Sequence, residues 1–272
     1  MSRADRFSTV AVVLLLAVWA FPLLWMLLSS FTPDERLFGD RSLIPAVPVL
    51  VHYEALFTER RFWVPIVNSL IVAGTTTVLA VMIGAPAAYA IARVRFRGRH
   101  FVAAAILSIS VFPQIAILSP LFLILRAAHV IDTYTGLVLP YMTFSLPLAI
   151  WLMAAFFRQL PRDLEEAAMM DGASRARAAF EIMLPLAAPG VATSAILTFL
   201  YAWNEFLFAL SFTLGPDRQT VPVAIALFRG QYQVPWGQVL AAAVVASLPV
   251  AVIVLAFQRR IVSGLTAGAV KG

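Results

Sequence analysis

Long apolar segments alternate with polar segments along the 272 residues of the chain. Six such segments are present, and Glu205 in the fifth is the only charged residue within any of them. A helix of about 20 apolar residues, rising about 1.5 Å per residue, is long enough to cross the hydrocarbon core of a bilayer. The pattern therefore predicts an all-α integral membrane protein with six transmembrane helices, at 9–30, 66–92, 102–125, 134–157, 184–213 and 238–257.

The composition agrees with a membrane location, since 61% of the residues are hydrophobic and only 12% are charged. The first apolar segment follows Arg3 and Arg6, as in a secretory signal peptide. Its apolar stretch is too long for the core of a signal peptide, and residues 21–25 offer no small-residue cleavage site. We therefore expect this segment to remain in the protein as a helix.

The distribution of basic residues predicts that both termini are cytoplasmic. Most of the 20 lysine and arginine residues fall in the segments that this orientation places inside the cell. Several of the others lie in the long first outer loop, where basic residues carry less weight in the rule. The net charge of +6 follows from this bias, so the sequence predicts no nucleic-acid partner.

The scarcity or absence of certain residue types in the sequence excludes several kinds of chemistry. Without cysteine, the chain has no disulfide, thiolate nucleophile or cysteine-based metal site. Its histidines, His52, His100 and His129, are too far apart in sequence to form a local metal motif. The only lysine, Lys271, lies next to the C-terminus, whereas a Walker A loop needs its lysine beside a glycine-rich turn. We expect no cofactor on this chain, so any ATP and Mg would bind to another subunit.

The polar segment 158–183 between the fourth and fifth apolar segments is predicted to contain a short helix. Asp163 and Glu166 form an acidic version of a capping box, which marks the start of a helix. The helix is predicted to run from 164 to 171, because Gly172 is the residue type that commonly follows a helix C-terminus.

The surface of this short helix is suited to contact with another protein. Ala167 and Ala168 would form a face of small residues that another surface can approach closely. Apolar side chains that could enter a cleft are Leu164, Met169 and Met170. Ser174 is expected to cap the next helix. The alternative is an amphipathic helix at the membrane surface that only connects two spans.

The spacing within this segment resembles the EAA loop of bacterial ABC-importer permeases. Glu166-Ala167-Ala168 is followed at the family spacing by Gly172 and then by Ile-Met-Leu-Pro at 182–185. The chain as a whole is similar to the smaller permease of carbohydrate ABC importers, the type found in maltose and trehalose uptake. Other segments that carry this resemblance are Ser-Leu-Pro-Leu at 145–148, Ala-Trp-Asn-Glu-Phe at 202–206 and the glycine-containing tail at 258–272.

The resemblance implies the type I ABC importer permease fold and a transport subunit rather than an enzyme. Such a chain forms half of a sugar translocation path by alternating access, in the bacterial cytoplasmic (inner) membrane. The implied substrate is a disaccharide or oligosaccharide such as trehalose or maltose. Implied partners are a second non-identical permease, an ATPase dimer that binds ATP and Mg, an extracytoplasmic sugar-binding protein and the lipid bilayer. We divide the chain into a first helix with its outer loop, a permease core and a cytoplasmic tail, at 1–65, 66–260 and 261–272.

Four sets of candidate site residues follow, and none of them is catalytic or binds metal. Those expected to dock the ATPase are Glu165, Glu166, Ala167, Ala168, Met169, Met170, Asp171 and Gly172. The tail residues implied to contact the ATPase are Gly268, Lys271 and Gly272, unless the tail is simply a disordered end. Candidates for the translocation path are Trp203, Asn204 and Glu205. The candidates for contact with the binding protein are Gln231, Tyr232 and Trp236. The alternative is that the loop holding them only caps the helical bundle.

Glu205 is a path candidate because ionisable side chains within a span are energetically costly. They are therefore rare there and usually serve a function. Counted along one continuous helix from Pro185, it lies about 30 Å higher, near the outer boundary. A solvated or helix-packing role is therefore equally open. The Trp203 ring is suited to stacking on a sugar ring, and the Asn204 side chain is suited to hydrogen-bonding it. The alternative for Trp203 is a tryptophan that lies at the membrane interface.

Two other classes of membrane protein are weighed against the importer permease. A secondary transporter driven by an ion gradient requires intramembrane carboxylates and discontinuous helices, and only Glu205 is available as such a carboxylate. An intramembrane enzyme requires a nucleophile with its base, or a metal, and the sequence offers neither constellation.

Overall fold

The computed structural model describes residues 3–39, 45, 47–228 and 234–266, with side chains described outside 3–7 and 259–266. Within these ranges the regular structure is helical and contains no strand, which confirms the all-α prediction. The helices are α1 (Arg3–Ser29), α2 (Val51–Thr58), α3 (Trp63–Arg93), α4 (Arg99–Val111), α5 (Gln114–Ala127), α6 (Tyr134–Gln159), α7 (Asp163–Met170), α8 (Arg175–Leu186), α9 (Ala188–Trp203), α10 (Leu207–Phe212), α11 (Val221–Ala226) and α12 (Trp236–Thr266).

Four of the described helices, α1, α3, α6 and α12, are each long and apolar enough to cross a membrane. Two further pairs pass the same criterion only if each bent pair counts as one span. These pairs are α4 with α5, bent by 94°, and α8 with α9, bent by 75°. The count of six spans and the cytoplasmic position of both termini therefore stay predictions.

The third predicted span, 102–125, is wrong as a single helix. α4 ends at Val111, Phe112 and Pro113 adopt extended backbone angles, and α5 starts at Gln114. Proline has no N–H to continue the helical hydrogen bonds, and it disfavours the helical conformation in the residue before it. This residue pair accounts for the 94° bend.

The fifth predicted span, 184–213, is also wrong as a single helix. The chain bends by 75° between α8 and α9, where Pro189 takes one of the first two positions of the new helix. α9 then ends at Trp203, and the Asn204 side chain donates a hydrogen bond of 2.7 Å to the Leu200 carbonyl. Such local bonding competes with the backbone bonds that would continue a helix. The chain resumes as the separate helix α10 at Leu207.

The chain forms two compact units, Met1–Trp63 with Ala224–Pro249, and Val64–Val223 with Val250–Gly272. In the first unit, His52 Nε2 lies 2.9 Å from the Thr32 carbonyl oxygen, and the Gly237 N–H donates to Asp34 at 2.9 Å. These bonds connect α2 and the start of α12 to the loop after α1. The predicted division of the chain into segments 1–65, 66–260 and 261–272 stays a prediction.

The core of the second unit is formed by α3, α6 and α8. Alanines contribute much of each contacting face, and Met153, Phe157 and Met183 fill the space between them. Small residues allow helix backbones to approach closely, which is the main way that helices pack in a lipid environment. α6 also contacts α9, where a Cβ added at Gly190 would overlap the ring of Phe156.

Replacing Gly190 by Ala is expected to lower thermal stability. The new methyl group would overlap the Phe156 ring, so α6 and α9 would have to separate or the ring would have to move, at a cost of about 1–3 kcal/mol. The control is Gly74→Ala in α3, where an added Cβ meets no atom within 4 Å. Loss of a helical glycine there should be neutral or stabilising. Thermal denaturation of both purified variants in detergent tests this, and an unchanged Gly190→Ala would contradict the close contact.

Candidate functional site

The predicted short helix is present as α7, Asp163–Met170, within one residue of the expected bounds. Gly172 follows it with φ +91°, the left-handed conformation predicted for a glycine beyond a helix C-terminus. The predicted capping box is wrong, however, because Arg162 occupies the N-cap position and makes no side-chain cap bond. Asp163 is instead the first helical residue. Acidic side chains in the first turn still favour the helix through its dipole.

The second half of the loop begins as the sequence predicts and then departs from it. The Ser174 side chain accepts a hydrogen bond of 3.2 Å from the Arg177 N–H, which confirms Ser174 as the cap of α8. The middle of α8, Ala178–Met183, has π-helical hydrogen bonding, which no sequence signal indicated. A π segment is rare, and each of its hydrogen bonds encloses one more residue than a hydrogen bond of an α-helix does.

Glu165 points into the protein and connects α7 to two long helices. Its side chain accepts a hydrogen bond of 2.6 Å from the Tyr89 hydroxyl, and its other oxygen lies 3.8 Å from Nε of Arg93. Arg93 also donates from Nη2 to the carbonyl oxygens of Leu160 and Pro161, at 2.7 and 3.0 Å. The three side chains therefore join the end of α3, the end of α6 and the first turn of α7.

The inward position of Glu165 divides the predicted docking set into two groups. Glu165 and Ala168 are only 9% and 6% exposed, whereas most of the other members are exposed, and the docking role of the set stays a prediction. The side chains of Glu165 and Ala168 pack within the chain itself. Met170 is 88% exposed, and the other exposed members of the set are Glu166, Ala167, Asp171 and Gly172, with Met169 partly exposed.

Sequence reasoning did not single out Tyr89 or Arg93. Arg93 follows an apolar run, where a basic residue is normally read only as a marker of orientation. Its burial at 9% exposure is the unusual feature, since arginine is seldom buried unless it is paired. No signal in the local sequence indicates the pairing of Arg93 with Glu165, because the two residues lie far apart along the chain. The same holds for Tyr89, which is 76 positions from Glu165.

Glu205 is buried, at 6% exposure, so its interpretation as a solvated residue at the outer boundary is wrong. Its carboxylate accepts hydrogen bonds from the N–H groups of Phe208 and Ala209, at 2.9 and 3.1 Å. These N–H groups lie in the first turn of α10 and have no partner within the helix. Glu205 thus holds the start of α10, while a role in the translocation path stays a prediction.

The two residues before Glu205 differ in exposure. Trp203 is buried and stacks on Phe199, with ring centroids 5.8 Å apart. A buried ring in this position packs within the chain, and a role of Trp203 in the translocation path stays a prediction. Asn204 is exposed, and its amide nitrogen is used for the bond to Leu200.

The remaining candidates lie partly outside the described residues. Trp236 is 47% exposed and packs edge-on against Phe38, with ring centroids 6.3 Å apart. Gln231 and Tyr232 lie outside the described residues, as do Gly268, Lys271 and Gly272. In the part of the chain that the structure describes, no group of three or more His, Cys, Asp or Glu residues is placed to hold a metal ion.

Comparison with known proteins identifies similar sequences over most of the chain. A family model described as binding-protein-dependent transport system inner membrane component matches residues 80–266. The trehalose transport system permease protein SugB of Mycobacterium tuberculosis is 45% identical, over 100% of this chain and 99% of that protein. The trehalose/maltose transport system permease protein MalG of Thermococcus litoralis is 41% identical, over 97% of this chain and 95% of that protein. The sulfoquinovosyl glycerol transport system permease protein SmoH of Agrobacterium fabrum is 42% identical, over 97% of this chain and 93% of that protein.

A similar fold is present in a solved structure. A chain of a bacterial ABC transporter involved in the import of the acidic polysaccharide alginate superposes with a TM-score of 0.78. The superposition covers 95% of this chain and 98% of that chain, at 22% sequence identity. The two chains therefore share the predicted importer-permease fold.

Proposed function

Because the chain belongs to the family of binding-protein-dependent transport system inner membrane components, we propose that it is a permease subunit of an ATP-driven sugar importer. As a member of this family it is a multi-pass protein of the bacterial inner membrane. The relatives named for trehalose and maltose transport favour a disaccharide or oligosaccharide as substrate. The chain would then form half of the path, beside a second, non-identical permease.

The observation that carries the proposal is the division of α7 into two faces. One face is fixed to the chain through Glu165, which is bonded to Tyr89 and ion-paired with Arg93. The opposite face presents exposed residues, including Glu166 and Met170. A helix that is anchored on one side and free on the other is suited to receive a partner and to pass its movement to the long helices.

The mechanism that we propose is alternating access, driven by an ATPase dimer that binds ATP and Mg on the cytoplasmic side. Closure of the dimer would displace α7 through its exposed face. The anchored face would transmit that displacement to the ends of α3 and α6, since Arg93 bonds the carbonyl groups of Leu160 and Pro161 as well as pairing with Glu165. Packed cores transmit displacement in this way because they are close-packed and resist compression.

On the outer side, an extracytoplasmic sugar-binding protein would deliver the substrate. Both termini would be cytoplasmic, with α4–α5 and α8–α9 each counted as one bent span. The exposed Trp236 is a candidate for contact with the binding protein, since aromatic side chains are enriched at protein interfaces. In this arrangement the C-terminal tail, with Gly268, Lys271 and Gly272, would reach the ATPase.

The direct test is ATP hydrolysis by the reconstituted complex. The chain would be purified together with its candidate permease and ATPase partners and reconstituted in liposomes with the binding protein. We expect hydrolysis that rises on addition of trehalose or maltose, and none from the isolated chain, whose only lysine is Lys271. Uptake by the single chain under a proton or sodium gradient, without ATP, would instead favour the secondary transporter.

Replacing Gly172 by Asp is expected to abolish most ATP-coupled uptake while leaving membrane insertion intact. A side chain at φ +91° costs about 1 kcal/mol and adds a charge to the exposed surface beside α7. Gly98→Asp is a matched control, because Gly98 also has a positive φ, +85°, and an added Cβ meets no atom within 4 Å at either position. Sugar uptake and expression would be measured for both. Normal uptake by Gly172→Asp, or an equal loss in Gly98→Asp, would count against docking at this loop.

A further inference from the structure

A basic cavity of about 260 Å³ lies beside α7, and its wall includes Glu166 and Met169 of the predicted docking set as well as the buried Glu165. Four segments line it: the end of α3 with the residues just after it, the turn before α7, α7 itself and the start of α8. Four arginines contribute to its wall against two glutamates, an excess of two positive charges, and the lining residues are Arg93, Arg95, Arg162, Glu165, Glu166, Met169 and Arg175. A cavity of this charge is suited to an anion.

The arginines of this cavity are not all satisfied within the chain. Nε of Arg93 is buried and has no hydrogen-bond partner among the described residues. It lies 3.8 Å from the Glu165 oxygen, beyond hydrogen-bond distance. Arg95, Arg162 and Arg175 are exposed. A buried arginine N–H without an acceptor is costly, so an anion that enters the cavity would gain a strong, charge-assisted contact.

A second, apolar cavity of about 140 Å³ adjoins the basic one and shares Arg175 with it. Its wall includes Ala85, Tyr89 and the exposed ring of Phe180. Ala85 precedes Arg93 by eight residues, which corresponds to about 12 Å along α3. α3 is long and apolar enough to span a membrane and ends at Arg93, so the apolar cavity lies nearer the middle of this helix than the basic cavity does.

We propose that these two cavities together bind one anionic phospholipid of the cytoplasmic leaflet. The phosphate would lie among the arginines at the end of α3, and one acyl chain would extend along α3 into the apolar cavity. A soluble anion or an acidic side chain of a partner protein would use the basic cavity but not the apolar one. The continuity of charge and apolar surface in the direction of the membrane therefore favours a lipid. A bound lipid would connect α3, α7 and α8, and so would stabilise the loop that the proposed function uses.

The test is retention of lipid by the purified full-length chain, measured by native mass spectrometry from a nonionic detergent. Phosphatidylglycerol and phosphatidylcholine with the same acyl chains would be added in parallel, and inorganic phosphate would be added as a competitor. We expect phosphatidylglycerol to be retained at least about tenfold better than phosphatidylcholine, since each arginine near a phosphate favours an anionic lipid by about fivefold. Inorganic phosphate at the same concentration should not displace it.

Substitutions of residues that line the two cavities test where the lipid binds. Arg95→Gln, Arg162→Gln and Arg175→Gln should each lower phosphatidylglycerol retention by about fivefold. Arg97→Gln is the matched control, because Arg97 is an exposed arginine close to Arg95 that does not line the cavity. Ala176→Trp, which fills the apolar cavity from an exposed position, should lower retention with all arginines in place.

Four results would overturn the lipid site. Equal retention of both lipids would remove the charge selectivity, and an equal effect of Arg97→Gln would show that only general surface charge matters. Displacement by inorganic phosphate at equal concentration, or an unchanged Ala176→Trp, would show that the acyl chain contributes nothing. These measurements use the isolated chain, so they are independent of ATPase coupling, and failure of the lipid site would leave the proposed function standing. Loss of phosphatidylglycerol on addition of the ATPase would assign the arginines to that partner instead.

Discussion

Glu165→Ala is expected to cause a large loss of both thermal stability and ATP-coupled uptake. The substitution leaves the buried Arg93 without its counter-charge and removes the acceptor of the Tyr89 hydroxyl. Removing one partner of a buried ion pair costs about 3–5 kcal/mol in typical cases. Here the two carbonyl groups that also bond Arg93 should reduce the loss, to about 2–3 kcal/mol by the same reasoning. Thermal denaturation in detergent and uptake by the reconstituted complex are the two measurements.

The neighbouring residue supplies the control for this prediction. Glu166 is exposed, so Glu166→Ala should lower uptake by weakening the docking surface without lowering thermal stability. Glu165→Gln should be intermediate, because it keeps an acceptor for Tyr89 and loses only the charge that faces Arg93. If Glu165→Ala is as stable as the unmodified chain, the ion pair does not fix α7. If Glu166→Ala destabilises as strongly as Glu165→Ala, the two faces of α7 are not distinct.

Glu205→Ala is the second substitution with a large expected effect, and it should lower thermal stability. The Phe208 and Ala209 N–H groups would remain at the buried start of α10 without an acceptor. Each such group costs about 1–3 kcal/mol when it is left unsatisfied. Glu205→Gln keeps one acceptor oxygen and should show a smaller loss. Asp217→Asn is the control for an exposed carboxylate on the same unit and should be silent.

Uptake measured beside stability separates the two roles that remain for Glu205. A fall in thermal stability with a matching fall in uptake supports the role at the start of α10. A fall in uptake at unchanged stability would instead place Glu205 in the translocation path. Normal values of both in Glu205→Ala would contradict the hydrogen bonds to α10.

The apolar segments were predictable because their length is set by the thickness of the bilayer rather than by the rest of the protein. A run of apolar residues is a membrane helix in almost any tertiary context. The interruptions were not predictable in the same way. Pro86 and Pro147 lie within the continuous helices α3 and α6, whereas Pro113 separates α4 from α5. The local sequence of a proline does not state whether neighbouring helices re-satisfy the freed carbonyl groups, and this decides the outcome.

The error at Glu205 has the same origin. Its predicted depth was counted along one continuous helix from Pro185, but the chain bends by 75° between α8 and α9, α9 ends at Trp203, and α10 starts at Leu207. The break frees the N–H groups at the start of α10, and these groups need an acceptor. A carboxylate a few residues earlier is well placed to supply one, so the charge that the sequence marked as unusual has a structural use.

By itself, the sequence determined the class of the protein, its family and the short helix with its terminal glycine. Apolar length, fixed motif spacing and the left-handed preference at Gly172 are local properties of the chain. Only the tertiary structure decided which of two adjacent glutamates faces inward. Glu165 and Glu166 have the same chemistry and differ by about 100° around a helix. Their roles depend on where Tyr89 and Arg93 lie, and those residues reach α7 only through the packing of α3 against α6.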